Sequence, residues 1–245
     1  MRYKRVMLKL SGAAMAAGDK TQTFDRVAID HIVGEILGLR ALGIEVITVV
    51  GGGNIFRGNL ATDWNIEQVE ADNMGMLGTV INGVLLRAAL DATSLEVRLM
   101  TAVPIPSVAE PYIRLRAIRH LEKGRVVILA GGIGQPYVTT DYPAAQRAIE
   151  TRCDAVLAAK QGIDGIYDAD PNRTVGARRY VTLTSDDAIR DNLRAMDQSA
   201  LLLARDHGMP VHVFNFGQKG AACLISQGND VGTLVGRDVT STKVD

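Results

Sequence analysis

Six short apolar runs separated by helix-like segments constrain this chain more than any other feature. They are "RVMLKL" (5–10), "IEVITVV" (44–50), "LEVRLMTAV" (95–103), "RVVILAGG" (125–132), "DAVLAAK" (154–160) and "PVHVFNF" (210–216), the last strand the pattern predicts. A strand that is apolar throughout, rather than at alternate positions, is buried on both faces, and such strands belong to parallel sheets covered on either side. Between the runs lie helical patterns at 28–42, 70–91, 112–124, 141–152, 186–191 and 198–208; Gly43 and Gly124 close the first and third, and Pro143 sits in the first turn of the fourth. This alternation predicts a mostly parallel sheet between helical layers. The chain has 245 residues and no linker, repeat or low-complexity break, which predicts one domain over 1–245, with two lobes.

Composition removes several function classes. Lys plus Arg and Asp plus Glu number 27 each, so no global field draws the chain to nucleic acid or an anionic membrane. An anion must be bound by local geometry. The two cysteines, Cys153 and Cys223, form no CxxC or metal-ligand cluster and read as buried thiols of a reducing compartment. The first twelve residues carry an apolar run too short for a signal segment or a membrane span, so a soluble cytoplasmic protein is expected.

Glycine clusters fall at the carboxyl ends of three predicted strands: "KLSG" (9–12), "GGGN" (51–54) and "AGGIGQP" (130–136). Ligands of open α/β sheets bind at that edge. Glycine there permits close backbone approach and positive φ, so that amide groups converge on an anion. Tight βα turns alone would explain one cluster. Three clusters, two of them beside a cation (Lys9 and Arg57), point to phosphate. No GxxxxGK[ST] occurs, no GxGxxG follows a strand, and the protein-kinase motifs are missing, so a nucleotide must be held by another design. The acidic stretch "KQGIDGIYDADPN" (160–172) lacks the order of a calcium loop. It reads either as a solvated loop or as a place where Tyr167 meets a base and an aspartate holds ribose or Mg²⁺. Asp141, after "TT", and Asp72 each read as a helix N-cap or as a ligand-holding carboxylate.

The segments "LKLSG", "VVGGGNIFRG", "DNMGMLGTVING", "RVVILAGGIGQPYVTTD", "DGIYDADP", "MDQSALLLARDHGMPVHVFN" and "GTLVG" resemble, in order, those of the bacterial uridylate (UMP) kinases of the amino acid kinase superfamily, from about Lys4 to Val235. The resemblance implies a three-layer αβα sandwich with a mostly parallel central sheet. It also implies an N-terminal lobe for UMP, a C-terminal lobe for ATP, and transfer of the γ-phosphoryl of ATP to UMP in de novo pyrimidine nucleotide synthesis. By this resemblance Lys9, Leu10, Ser11, Gly12, Gly53 and Arg57 meet the ATP phosphates, and Gln161, Tyr167 and Asp170 hold its nucleoside. Gly52, Asp72 and the loop Ile133, Gly134, Gln135, Pro136, Tyr137, Val138, Thr139 and Thr140 match the UMP site. Lys9 stabilises the transferring group, Arg57 assists it, and Asp141 and Asp197 organise Lys9 or the metal. Mg²⁺ arrives with ATP, with no metal site of the protein's own. A homohexamer built from dimers, and UTP as feedback inhibitor, complete the implied partners.

The long helix at 74–90 is more apolar than one buried stripe needs, which suits a subunit interface. Two departures from the family pattern stand out. The segment 11–25 lacks the usual glutamate and glycine-rich GxGI, so GTP activation is not carried over, and the substrate loop has Tyr137 and Tyr142 where Phe and Thr or Ser are more common. Two rivals remain at this level: a kinase of the same superfamily acting on a carboxylate or carbamate, and a non-catalytic nucleotide- or oxyanion-binding member. "GGGNIFRG" with Asp72 argues against the first. Retention of Lys9 argues against the second, because binding alone needs no cation at the point of transfer.

Overall fold

The computed structural model describes residues 1–16, 22–56, 58–171, 173–193 and 196–244, with the backbone only at 58 and 59. Arg57 and the segment 17–21 lie outside the described residues, so the expectations attached to them stay with the sequence. The first strand, β1 (Arg5–Leu10), and the second, β2 (Glu45–Val50), pair in parallel, and the helix α1 (Arg26–Ala41) crosses between them. Asp25 caps α1 by accepting from Val27 N at 3.2 Å. Gly43, at φ 77°, closes its far end and donates to Arg40 O. Next come α2 (Gly58–Asp63), α3 (Gln68–Asp91), β3 (Val97–Thr101), β4 (Glu110–Pro111), α4 (Arg114–Glu122) and β5 (Val126–Ala130). The second half adds α5 (Asp141–Glu150), β6 (Ala155–Lys160), β7 (Tyr180–Thr184), α6 (Ser185–Arg190), α7 (Gln198–Asp206) and β8 (Val211–Asn215). The chain does not end its secondary structure there, as the hydropathy pattern predicted. It continues through α8 (Ala221–Gln227), β9 (Thr233–Gly236) and β10 (Thr242–Lys243).

Among the described residues ten strands join one sheet in the order β10-β7-β9-β8-β6-β1-β2-β5-β3-β4. The pairings are parallel except β8–β9 and β7–β10. The expected mostly parallel sheet is therefore present, with an antiparallel extension at one edge. Helices cover both faces, and the two-residue period of a strand divides its side chains between them. Val6, Leu8 and Leu10 of β1 join the core shared with α1, α3 and α8, while Met7 joins the core shared with α4, α5 and α7. Lys9 has the parity of Met7. It must therefore point toward the α5 face, and Lys160 follows by the same rule, because Val156 and Ala158 of β6 lie in that second core.

By length and composition α3 would suffice to cross a membrane. Here it packs on β3 and β5. It does so by one face only: Leu86 and Leu90 are buried, whereas Leu77 and Ile81 are 48% and 50% exposed. Of the two thiols expected to be buried, Cys153 is, and burial pushes its pKa up to about 12; Cys223 is only half-buried.

Candidate functional site

β1 ends at the centre of the sheet, flanked by β2 on one side and β6 on the other. Strand order reverses here, which places a crevice outside the carboxyl ends of the strands. Lys9, one residue from that end, is 6% exposed, and its Nζ lies 2.7 Å from Asp141 Oδ1. Asp141 is the first residue of α5; the N-cap position belongs to Thr140, so the capping alternative for Asp141 falls away. Among the described residues the only group that meets its Oδ1 is the Lys9 ammonium, while Oδ2 accepts from Asp197 N at 3.2 Å. Asp197 caps α7 in position without a side-chain bond to its amides, and its Oδ2 accepts from Thr139 Oγ1 instead. Burial raises the pKa of Asp141, but Lys9 and Lys160 together outweigh it and leave the carboxyl below its ordinary range. Burial first, and the charge of Lys9 second, lower the pKa of Lys160, against the pull of Asp141 and Asp197. Lys9 and Asp141 are buried, Lys160 and Asp197 partly so, and the four charges act on one another. Lys160 was not singled out from sequence, although the strand parity that aims Lys9 aims it too.

Beside this cluster lies a cavity of about 290 Å³ lined by Gly52, Gly53, Asp72, Gln135, Val138, Thr139 and Thr140, together with Val50, Phe56, Ala71, Gly75, Met76, Thr79 and Gly132. The sequence thus named half of its wall, Asp72 of α3 included, and missed Ala71, Gly75, Met76 and Thr79 of the same helix. Ile133, Gly134, Pro136 and Tyr137 belong to the same loop but stand outside the lining. Tyr137 is 73% exposed at φ 65°, and its backbone N donates to Asp72 Oδ2 at 2.7 Å; Gln68 donates to Asp72 Oδ1 at the same distance. Asp72 stands in the second turn of α3, whose N-cap is Glu67, and so is no cap.

The glycines at the strand ends split into two kinds. Those at 131, 132 and 134 take positive φ, as expected, and Gly131 N donates to Thr79 Oγ1 at 2.6 Å. Gly12, Gly51, Gly52 and Gly53 do not. What Gly12 requires is space: a methyl on it would lie 2.6 Å from Asn54 Oδ1 and 2.8 Å from Asn54 N. A methyl on Gly51 would reach 2.8 Å from Gly12 N, and one on Gly52 would press into Gly75 O of α3. Only Gly53 has open space where a side chain would go. Asn82 holds the turn by donating to Gly51 O at 2.6 Å and by exchanging bonds with Asn54.

On the β6 side a second cavity, about 530 Å³, is lined by Lys160, Ile163, Gly165, Ile166, Tyr167, Ala169, Asp170, Pro171, Asn192, Leu193 and Val213. Tyr167 and Asp170 both line it, and Tyr167 donates its hydroxyl to Asp164 at 2.7 Å. Gln161 is exposed and off the lining. Ser11 sits at the end of β1 with Ala14 N bonded to its carbonyl. Leu10 buries its side chain in the core on the far face, and its carbonyl accepts from Gly51 N, so neither faces the crevice. Among the described residues no cluster of three metal-ligating side chains occurs.

A central lysine–carboxylate pair between two cavities, on a mostly parallel sheet that lacks a P-loop, fits a phosphotransferase of the amino acid kinase family. The chain belongs to that family, whose sequence model matches residues 4–215. Within it the relatives are uridylate kinases: that of Frankia casuarinae is 56% identical over 96% of this chain and 90% of its own. That of Paramagnetospirillum magneticum is 44% identical over 97% and 98%. The crystal structure of UMP kinase from Bacillus anthracis superposes with a TM-score of 0.97 at 52% identity, covering all of both chains.

Proposed function

We propose that this chain transfers the γ-phosphoryl group of ATP to UMP, giving UDP and ADP. The observation that carries this reading is the buried Lys9–Asp141 pair, with Lys160 and Asp197 beside it, between two cavities, one for each nucleotide. Transfer crowds the negative charges of two phosphates, so catalysis is positioning and charge stabilisation. The attacking phosphate has a second pKa of about 6 and is largely ionised at neutral pH, so no general base is required. Lys9 neutralises charge on the transferring group, Lys160 adds a second cation, and the ionised Asp141 fixes where Lys9 points. Asp197 ties Asp141 to the loop at Thr139.

The smaller cavity takes UMP, with Gly52 at its phosphate and Asp72 at its ribose. A carboxylate has about four acceptor sites, so the bonds from Tyr137 and Gln68 leave capacity for ribose hydroxyls. Residues 133–140 close over the uracil. The larger cavity takes the ATP nucleoside against Tyr167 and Asp170, with Gln161 at its mouth, and the amides of Ser11, Gly12 and Gly53, together with Arg57, serve the phosphates. The two lobes meet at β1. Mg²⁺ arriving with ATP would offset the charge of the phosphates. The carboxylates of Asp141 and Asp197 are hard oxygen donors that suit such an ion, and their small number fits a metal that brings phosphate and water as its remaining ligands.

The product places the enzyme in pyrimidine nucleotide synthesis in the cytoplasm, with UTP as the expected feedback inhibitor. The exposed Leu77 and Ile81 on α3 support a dimer contact within a hexamer. Incubation with ATP, Mg²⁺ and each of UMP, CMP, N-acetylglutamate and carbamate tests the activity. UMP should be turned over fastest, with UDP as product. Equal or faster turnover of another acceptor overturns the reading.

A further inference from the structure

The loop between β6 and β7 forms one wall of the larger cavity, and a segment remote in sequence holds it from outside. Tyr167, Ala169 and Asp170 line that cavity, whereas Asp168, among them, does not. Its Oδ2 takes Lys243 Nζ at 2.8 Å, and its Oδ1 accepts from Arg178 N at 2.9 Å. Its own N donates to Arg178 O at 3.1 Å. Both bonds to the carboxylate, that from Lys243 first, hold its pKa below the ordinary range, so the pair is charged at neutral pH.

Lys243 belongs to β10, the outermost strand, and its ammonium lies 5.0 Å from the centroid of the Tyr180 ring in β7. β10 is itself well anchored. Val244 N donates to Arg179 O at 2.8 Å, and Thr182 Oγ1 donates to Thr240 O at 2.6 Å. Ser241 Oγ donates to Asp187 and accepts from Thr184 N at 3.0 Å. These contacts fasten the segment to β7 and α6. Lys243 is the side chain that carries the anchorage across to the cavity loop.

We infer that Lys243 is a positioning residue for the donor nucleotide: through Asp168 it fixes the loop that presents Tyr167 and Asp170, so the segment after β9 tunes ATP affinity without touching ATP. This rests on reading the larger cavity as the ATP nucleoside site. The acceptor cavity lies across β1, on the β2 side of the sheet, and is untouched by this linkage. Loss of the pair should therefore separate the two substrates kinetically. A merely structural edge strand would lower stability and leave the ratio of the two KM values alone.

The test measures kcat, both KM values and melting temperature for Lys243→Met, Lys243→Arg, Asp168→Asn and Ile163→Glu. Lys243→Met keeps the stem over Tyr180 but removes the charge. It and Asp168→Asn should each raise KM for ATP about two- to five-fold, the range a partly exposed ion pair can supply. KM for UMP and kcat should stay at wild-type values, and Lys243→Arg should restore KM for ATP. An unchanged KM for ATP in Lys243→Met, a parallel rise in both KM values, or no recovery with arginine overturns the inference. If Lys243→Met does not fold, Asp168→Asn decides by the same criteria. Ile163→Glu places a carboxylate in the cavity wall and should raise KM for ATP by itself. If it does not, the assignment of the cavity fails, independently of Lys243.

Discussion

Replacing Lys9 by alanine probes the centre of the site through stability and through rate. Among the described residues Asp141 Oδ1 meets only the Lys9 ammonium, at 2.7 Å, and Oδ2 accepts from Asp197 N at 3.2 Å. Without Lys9 the carboxylate keeps that bond and the attraction of Lys160. Removing one partner of a buried ion pair costs about 3–5 kcal/mol. The remaining lysine puts the expected loss near the lower end, about 3 kcal/mol, or roughly 6–12 °C in melting temperature for a chain of this size. The pH dependence has a definite sign. In the wild type burial raises the Asp141 pKa, but Lys9 and Lys160 carry it below the unfolded value. Its contribution is thus fully present above the unfolded pKa and is lost as pH falls through the folded one. In Lys9→Ala burial dominates, the folded pKa moves above the unfolded one, and protonation relieves the variant. The stability gap should be widest at about pH 8 and narrow toward about pH 4. If Lys9 meets charge that develops in the transition state, kcat falls about 100- to 1000-fold while KM for UMP changes little. Calorimetry across pH and a coupled assay of ADP release read the two effects. A pH-independent gap would show that Asp141 does not depend on Lys9. A folded variant with near-normal kcat would remove Lys9 from the transfer step.

Three further outcomes are expected. Gly52→Ala has no space beside Gly75 O and should cost about 1–3 kcal/mol while raising KM for UMP; Gly53→Ala, with open space, is the matched control, and equal behaviour of the two would refute the packing argument. Glu35, buried in α1, accepts from Gly220 N and from Ala222 N at 3.1 Å, so Glu35→Ala should lose about 1–3 kcal/mol in thermal or denaturant unfolding with kcat unchanged. Leu77→Lys with Ile81→Lys should reduce the mass seen by light scattering, because both side chains project from α3 as exposed apolar groups; an unaltered mass would exclude that face from the subunit contact.

Legibility in the sequence followed the strength of local signals. Strands that are apolar throughout announce themselves, and β1 spans the predicted 5–10. The end of the chain carried weaker ones. α8 has seven residues between left-handed Gly220 and Gly228, too few for a helical period, and β9 and β10 have four and two. Their place is set by pairing with distant strands, which no window of sequence contains. The site divides similarly. Lys9 could be aimed by strand parity alone, but that Asp141 stands opposite depends on where α5 lands. The aspartate at 72 looked like a helix start because the true start, Gln68 after Glu67, has no side-chain capping bond to mark it. Gly51 and Gly52 were legible as special; positive φ is not what they need, and the close approach that requires glycine is to neighbouring backbone, Gly12 N and Gly75 O.

One helix, α3, serves on both of its faces. Gly75 and Thr79 form wall for the smaller cavity, and Gly52 meets Gly75 O with no gap left for a methyl group. Leu77 and Ile81, on the other side, stand in the open. A helix is about 10 Å across and nearly rigid along that width. Whatever seats on Leu77 and Ile81 therefore rests on the same helix that walls the smaller cavity and meets the glycine turn.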